Sequence, residues 1–199
     1  MQQIELLINT AKNLRDKIII ESAYYPALRR FEIAKMRVED INLTTGRLTV
    51  TGKFNKIAPI PVGTVYPQYI NDLKYYMQYI KKKEGYLFGN NAPLEVSRIN
   101  QIFTATAKLC RLKHPNPKPK KNYKGEMVAR NVNPHLLRHS QARHLKDLGF
   151  SIEFVKNYMR HDSIKTTMDE YGTLSIDDME RKALEKKGMI PDRTSISPL

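Results

Sequence analysis

The stretch from Asn133 to Tyr171, NPHLLRHSQARHLKDLGFSIEFVKNYMRHDSIKTTMDEY, constrains this chain more than any other. Its punctuation is helical. Asn133 suits a cap and Pro134 the first helical position, because proline lacks only an N–H that the first turn leaves unpaired. Gly149 ends that helix and Ser151 caps a second, which runs to about Arg160 and delivers His161. Ser163 starts a short helix that carries Tyr171 at its far end, and Gly172 lets the chain turn away. His135 and Arg138 fall three residues apart, on one face of the first turn.

These residue types together suit attack on a phosphodiester. Guanidinium groups clamp non-bridging oxygens through forked, charge-assisted bonds. Histidines move protons or donate to developing charge. A tyrosine hydroxyl holds the phosphate covalently, keeping the bond energy for rejoining. The rival reading is a basic helical hairpin with core histidines and a packed tyrosine. A metal site is disfavoured: His135 and His139 have ligand-like spacing, but Arg138 lies beside them and no carboxylate lies between. No metal or nucleotide cofactor is expected.

The set resembles the tyrosine recombinase and phage integrase family. His135, Arg138 and His139 match its His-x-x-Arg-His box. Met159-Arg160-His161, a Ser/Thr-rich turn and Tyr171 match its third box, with Arg160 where the family prefers glycine. Upstream, Leu28-Arg29-Arg30-Phe31-Glu32 resembles the family's first box, with Pro26-Ala27 in place of the usual Thr-Gly. The resemblance covers about residues 5 to 185. It implies that Tyr171 attacks the scissile phosphate and that Arg29 and Arg138 bind its oxygens. Glu32, one turn on, orients the Arg29 guanidinium.

Residues 47–62 alternate apolar and polar around a Gly/Asn turn, which predicts a β-hairpin with prolines on an edge strand. The family carries a catalytic lysine in such a turn. Lys53 matches it as general acid to the leaving 5′ oxygen, with Lys56 the alternative bearer and a DNA contact. The resemblance further implies that His135 assists proton transfer at the nucleophile and that His161 donates to the phosphate.

Charge points to the same partner. Lys plus Arg number 34 against 20 Asp plus Glu, giving +14. Such an excess is the footprint expected for a nucleic-acid partner, which the resemblance implies is double-stranded DNA. It concentrates in residues 111–130, with seven Lys or Arg and one Glu. The prolines there predict an extended loop, mobile without DNA, with Lys118, Lys120, Lys121 and Lys124 as phosphate contacts that position without reading sequence. No basic amphipathic helix with an aromatic face supports a membrane surface instead. No apolar run approaches the ~20 residues of a membrane span. The single Cys110 excludes an internal disulfide and predicts a small core residue in a reducing interior. No signal peptide is visible, so a cytoplasmic location is expected, in a prokaryotic cell or an infected host.

The remaining periodicities predict further helices. One spans 4–25 with Leu6, Leu7, Ala11, Leu14 and Ile18 inward. Another spans 67–83 with Ile70, Leu73, Met77 and Ile80 inward. A third starts at Ser97 with Ile99, Ile102, Phe103, Ala107 and Leu109 inward. Ser175 opens a last helix ended by Gly188, whose face of Met179, Ala183 and Leu184 suits docking on a neighbouring protomer.

The expected architecture is therefore α+β and mostly helical: a tyrosine recombinase catalytic domain over 1–188 with a small antiparallel sheet. A disordered tail over 189–199 follows, and no separate N-terminal core-binding domain is expected. The expected function is site-specific DNA cleavage and rejoining by monomers that assemble into dimers or tetramers on DNA. Type IB topoisomerase-like relaxation and a catalytically inactive DNA-binding module are the alternatives.

Overall fold

The computed structural model describes residues 2–51, 57–122 and 124–160. It divides into two compact units, with the boundary after Arg138.

The first unit is built on a helix whose second half is buried all round. Helix α1 covers Gln2–Asn9 and α2 covers Leu14–Tyr24. Between them the chain breaks, because Asn13 caps α2 by accepting from the Asp16 N–H at 2.9 Å. The single helix expected over 4–25 is thus two, an Asx cap winning over a continuous apolar period. Leu7 is buried as expected, but Leu6, also expected inward, is exposed, and Ile8 is buried in its place. In α2, Ile18, Ile19 and Ile20 lose all solvent exposure, as do Ser22 and Ala23. A helix covered on every side has no single apolar stripe to show in its sequence.

Helices pack on α2 from several directions: α3 (Arg30–Lys35), α5 (Pro67–Ile80) and α6 (Val96–Leu109) all contact it. Tyr69 of α5 is fully buried, and its hydroxyl lies 2.8 Å from the Ser22 hydroxyl of α2, which donates to the Ile18 carbonyl at 2.7 Å. α5 ends at Ile80, three residues before the expected end, and Lys81 turns left-handed (φ 52°). Its inward face is Tyr69, Ile70, Leu73 and Tyr76, whereas Met77 and Ile80 are half-buried. In α6 the predicted face holds except for Leu109, which is exposed in the last turn. Cys110 follows it half-buried, its thiol donating to the Thr106 carbonyl.

A 3-10 turn at Val38–Asp40 leads into a three-stranded antiparallel sheet of order β1-β2-β3: β1 Ile41–Asn42, β2 Arg47–Thr51 and β3 Ile57–Ile60. Leu48 and Val50 of β2 point inward, paired with Ile60 and Ala58. Pro59 lies on the edge strand β3, opposite Thr49, and edge strands are where a sheet tolerates proline. The short helix α4 (Val62–Val65) then crosses β2 at a glycine contact. Gly63 donates to the Gly46 carbonyl at 2.7 Å, and a Cβ on Gly63 would stand 2.6 Å from the Gly46 Cα.

Residues 111–130 differ from expectation. Rather than an extended loop throughout, they hold a short hairpin in which β4 (Lys120–Lys121) pairs with β5 (Met127–Val128). Asn122 makes the turn: its Oδ1 accepts from the N–H groups of Lys124 (2.9 Å) and Glu126 (3.0 Å). Such local bonding by an Asn side chain is what composition conceals among prolines and lysines.

Helix α7 (Pro134–Asp147) crosses the boundary between the units. In the second unit, Gly149 takes φ +85° after α7 and Ser151 caps α8 (Ile152–Met159) by accepting from the Phe154 N–H at 3.1 Å, both as expected. Phe150 and Phe154 stack at 4.3 Å, and Val155, Tyr158 and Met159 are buried. Among the described residues no helix is long and apolar enough to cross a membrane.

Candidate phosphate-binding site

The site begins with a turn. After α2, the Ala27 N–H donates to the Tyr24 carbonyl at 3.1 Å and the Leu28 N–H to the Ser22 carbonyl at 3.0 Å. Ala27 adopts φ +51°, the left-handed conformation that glycine takes freely and an L side chain resists. The glycine of the resembled pattern therefore marks a backbone requirement that Ala27 meets under strain. Leu28 is buried and anchors the turn, and Arg29 emerges from it, just ahead of α3.

Arg29 is held at both ends by Glu32. The carboxylate accepts from the Arg29 main-chain N–H at 2.7 Å and from its Nη1 at 2.9 Å. The Arg29 side chain stays 45% exposed while that of Glu32 is 6% exposed. The acid thus braces the guanidinium from the protein side and leaves room for a ligand on the other.

Arg138 approaches from α7. Asn133 accepts from the Leu136 N–H at 3.1 Å, so the helix starts where its sequence predicts, at Pro134. That phasing sends Arg138 inward, where it is 2% exposed, and leaves His135 exposed one turn earlier. Arg138 Nη1 donates to the Ala27 carbonyl, two residues before Arg29. The strained turn thus carries one arginine and anchors the other. Sequence reasoning missed this function of the Ala27 main chain. The signal available was the pattern's glycine, which reports on backbone rather than on a side chain.

Beside Glu32 lies a cleft of about 250 Å³, lined by Lys35, Arg37, Asp40, Thr49 and Thr51 among others. It runs from the Arg29 helix to the end of β2, just before the turn expected to hold the general acid. Lys53 and Lys56 of that turn lie outside the described residues, as do His161, Tyr171, the helix expected from Ser175 and the tail from 189. Lys118, Lys120, Lys121 and Lys124 are exposed on or beside the β4–β5 hairpin.

In the second unit, Arg160 adopts φ 54°, ψ 47° at the end of α8. This is the position where the resembled pattern has glycine, and the reason is again a left-handed backbone. Burial lowers the His144 pKa. Among the described residues no group of three or more His, Cys, Asp or Glu is placed to hold a metal. The arrangement suits a phosphate: one braced, exposed guanidinium and one buried guanidinium meet at a single turn, in a chain of net charge +14.

The model of the phage integrase family matches residues 1–176. Tyrosine recombinase XerA of Pyrococcus horikoshii is 28% identical over 189 residues, which is 94% of this chain and 60% of that protein. The crystal structure of XerA recombinase superposes with a TM-score of 0.71 at 20% identity, over 94% of this chain and 63% of that one. XerH site-specific recombinase, in a post-cleavage complex with palindromic difH substrate, gives 0.63 at 16% identity, over 94% of this chain and 52% of that one. The fold is that of a tyrosine recombinase catalytic domain.

Proposed function

The chain belongs to the phage integrase family, and from that premise we propose that it is a site-specific DNA recombinase acting through a 3′-phosphotyrosyl intermediate. It spans 60% of the length of the curated XerA relative, so activity, substrate and assembly are inferences from the residues it carries. The observation that carries the reading is the turn at Ala27, which anchors Arg138 and presents the braced Arg29.

Arg29 and Arg138 neutralise the non-bridging oxygens as charge builds on phosphorus. The Tyr171 oxygen forms a bond to phosphorus, and the bond from phosphorus to the 5′ oxygen breaks. Lys53 gives the leaving oxygen its proton, and His135, exposed at the start of α7, assists removal of the tyrosine proton. His161 donates to the phosphate. Reversal with a different 5′ hydroxyl rejoins the strand without a cofactor. The partner is double-stranded DNA, on which monomers assemble into dimers and tetramers. The setting is the cytoplasm of a prokaryotic cell or an infected host, and mobile-element integration is the kindred activity.

A nicked suicide duplex, taken from a site selected by this chain from random DNA, tests the reading. Cleavage beside the nick releases a short strand and traps the covalent adduct. The adduct is expected with the wild type and absent with Tyr171→Phe, which keeps DNA affinity. An adduct that survives Tyr171→Phe assigns the nucleophile elsewhere, and no adduct with either protein leaves a DNA-binding module.

A further inference from the structure

We propose that the ribbon formed by β4 and β5 enters the DNA major groove and reads bases there through the face carrying Lys121 and Met127. The proposal rests on the reading of the protein as DNA-acting and adds a specificity element to it.

The ribbon is built to stand alone. Its turn is closed by the Asn122 N–H donating to the Glu126 carbonyl (2.8 Å), by Gly125 donating to the Asn122 carbonyl (3.0 Å), and by the two bonds to Asn122 Oδ1. Its base is closed by Arg130 Nε donating to the Lys118 carbonyl at 3.0 Å. Gly125 turns at φ +80° with open space around it. Yet little of it rests on a core: Lys118, Lys120, Lys121, Lys124, Glu126 and Met127 are all exposed. A two-stranded hairpin without an apolar face is marginal in water. The side-chain bonds hold its shape, and a partner surface is what the shape suits.

Charge names the partner. The lysines face a single acid, Glu126, whose carboxylate accepts from Asn122 Nδ2 at 2.8 Å. Paired strands lie about 4.8 Å apart. With side chains, such a ribbon fits a major groove about 12 Å wide and not a minor groove of about 6 Å.

Register then separates two faces. Lys120 pairs with Val128 and Lys121 with Met127, and cross-strand partners share a face. Val128 is half-buried, so its face turns toward the protein, whereas Met127 is 61% exposed. A thioether gains nothing from phosphates. It does gain from apolar base edges, above all the thymine methyl group. Lys118, Lys120 and Lys124 supply phosphate contacts, and Met127 with Lys121 supplies the reading face.

Binding sites are selected from a randomised duplex pool with the wild type and with Met127→Ala and Met127→Gln. The wild type is expected to enrich a site in which the two variants lose preference at one to three adjacent base pairs and keep the rest. Replacing thymine by uracil at those pairs should weaken wild-type binding about five-fold or more and leave the variants unmoved. An identical consensus from all three proteins overturns the proposal, as does a wild type that enriches nothing. Loss of the whole consensus by both variants also overturns it. Whether the protein cleaves DNA is read separately from the trapped adduct, which these variants should still form on wild-type sites.

Discussion

Arg138 reaches across 111 residues of sequence to donate to the carbonyl of Ala27, and this bond locates one arginine against the turn that carries the other. Neither guanidinium is placed by its own helix alone. Arg138 is set by the phase of α7, Arg29 by a left-handed residue and a glutamate brace. Changing either arginine to alanine should slow strand cleavage by about 100-fold or more, the usual cost of removing a charged donor from a developing oxyanion. Lysine should rescue neither, because it lacks the planar fork. Single-turnover cleavage of a suicide substrate measures both. Arg138→Ala should also lower the unfolding midpoint, since it strands a buried carbonyl, whereas Arg29→Ala should leave it nearly unchanged.

Ala27 sits at φ +51° and has no solvent exposure. Relief of left-handed strain is worth roughly 1–2 kcal/mol, and the added freedom of glycine in the unfolded chain costs about 0.5–1 kcal/mol. Ala27→Gly should therefore leave stability unchanged or raise it by about 1 kcal/mol. Ala27→Val, with a branched Cβ in a region closed to it, should destabilise the protein and slow cleavage together. Urea unfolding of the three proteins, with cleavage rates alongside, checks the pair.

Gly63→Ala should destabilise by about 1–3 kcal/mol, the usual cost of forcing an atom into filled space. The new methyl would meet the Gly46 backbone at 2.6 Å and Ile70 at 3.1 Å. No flexible side chain tip is available to move aside from the backbone. A thermal midpoint equal to wild type would show that α4 shifts freely against β2.

Glu21 is buried in α2, and burial first and the Asp72 charge second push its carboxyl up to about 8. Lys17, 3.6 Å from Glu21 and 2.9 Å from Asp72, offsets only part of this. The folded state therefore binds a proton that the unfolded state releases near 4.5. That contribution to stability is complete below pH 4.5 and is lost as pH rises through about 8. Glu21→Gln removes the titration, so its unfolding midpoint should gain on wild type steadily between pH 5 and 8. A constant gap across that range would show that Glu21 stays ionised in the fold.

Replacing Lys118, Lys120 and Lys124 by alanine should weaken binding to all duplexes. It should also flatten the salt dependence, by nearly one unit of log–log slope for each phosphate no longer neutralised. Filter binding across 50–200 mM salt checks it. An unchanged slope would remove these lysines from the phosphate interface.

Local structure was legible in the sequence. Asn133-Pro134 and Ser151 start helices because an unpaired N–H at a first turn needs an acceptor or its own removal. The alternation of 47–51 and 57–60 shows the sheet because strand period is a property of the chain. The candidate residues of the first and second boxes are legible for the same reason, being spaced by one helical turn. Tertiary packing settled which of these residues meet. Only packing could show that α2 is covered on all sides, that Leu6 and Leu109 face solvent, or that a basic proline-rich stretch closes into a ribbon around one asparagine. Only the fold could bring the Ala27 carbonyl to Arg138, because a main-chain acceptor carries no residue identity. Its trace in the sequence is a preference for glycine, which here is alanine. A side chain's chemistry is written at its own position, whereas a bond to a backbone atom is written nowhere until the chain has folded.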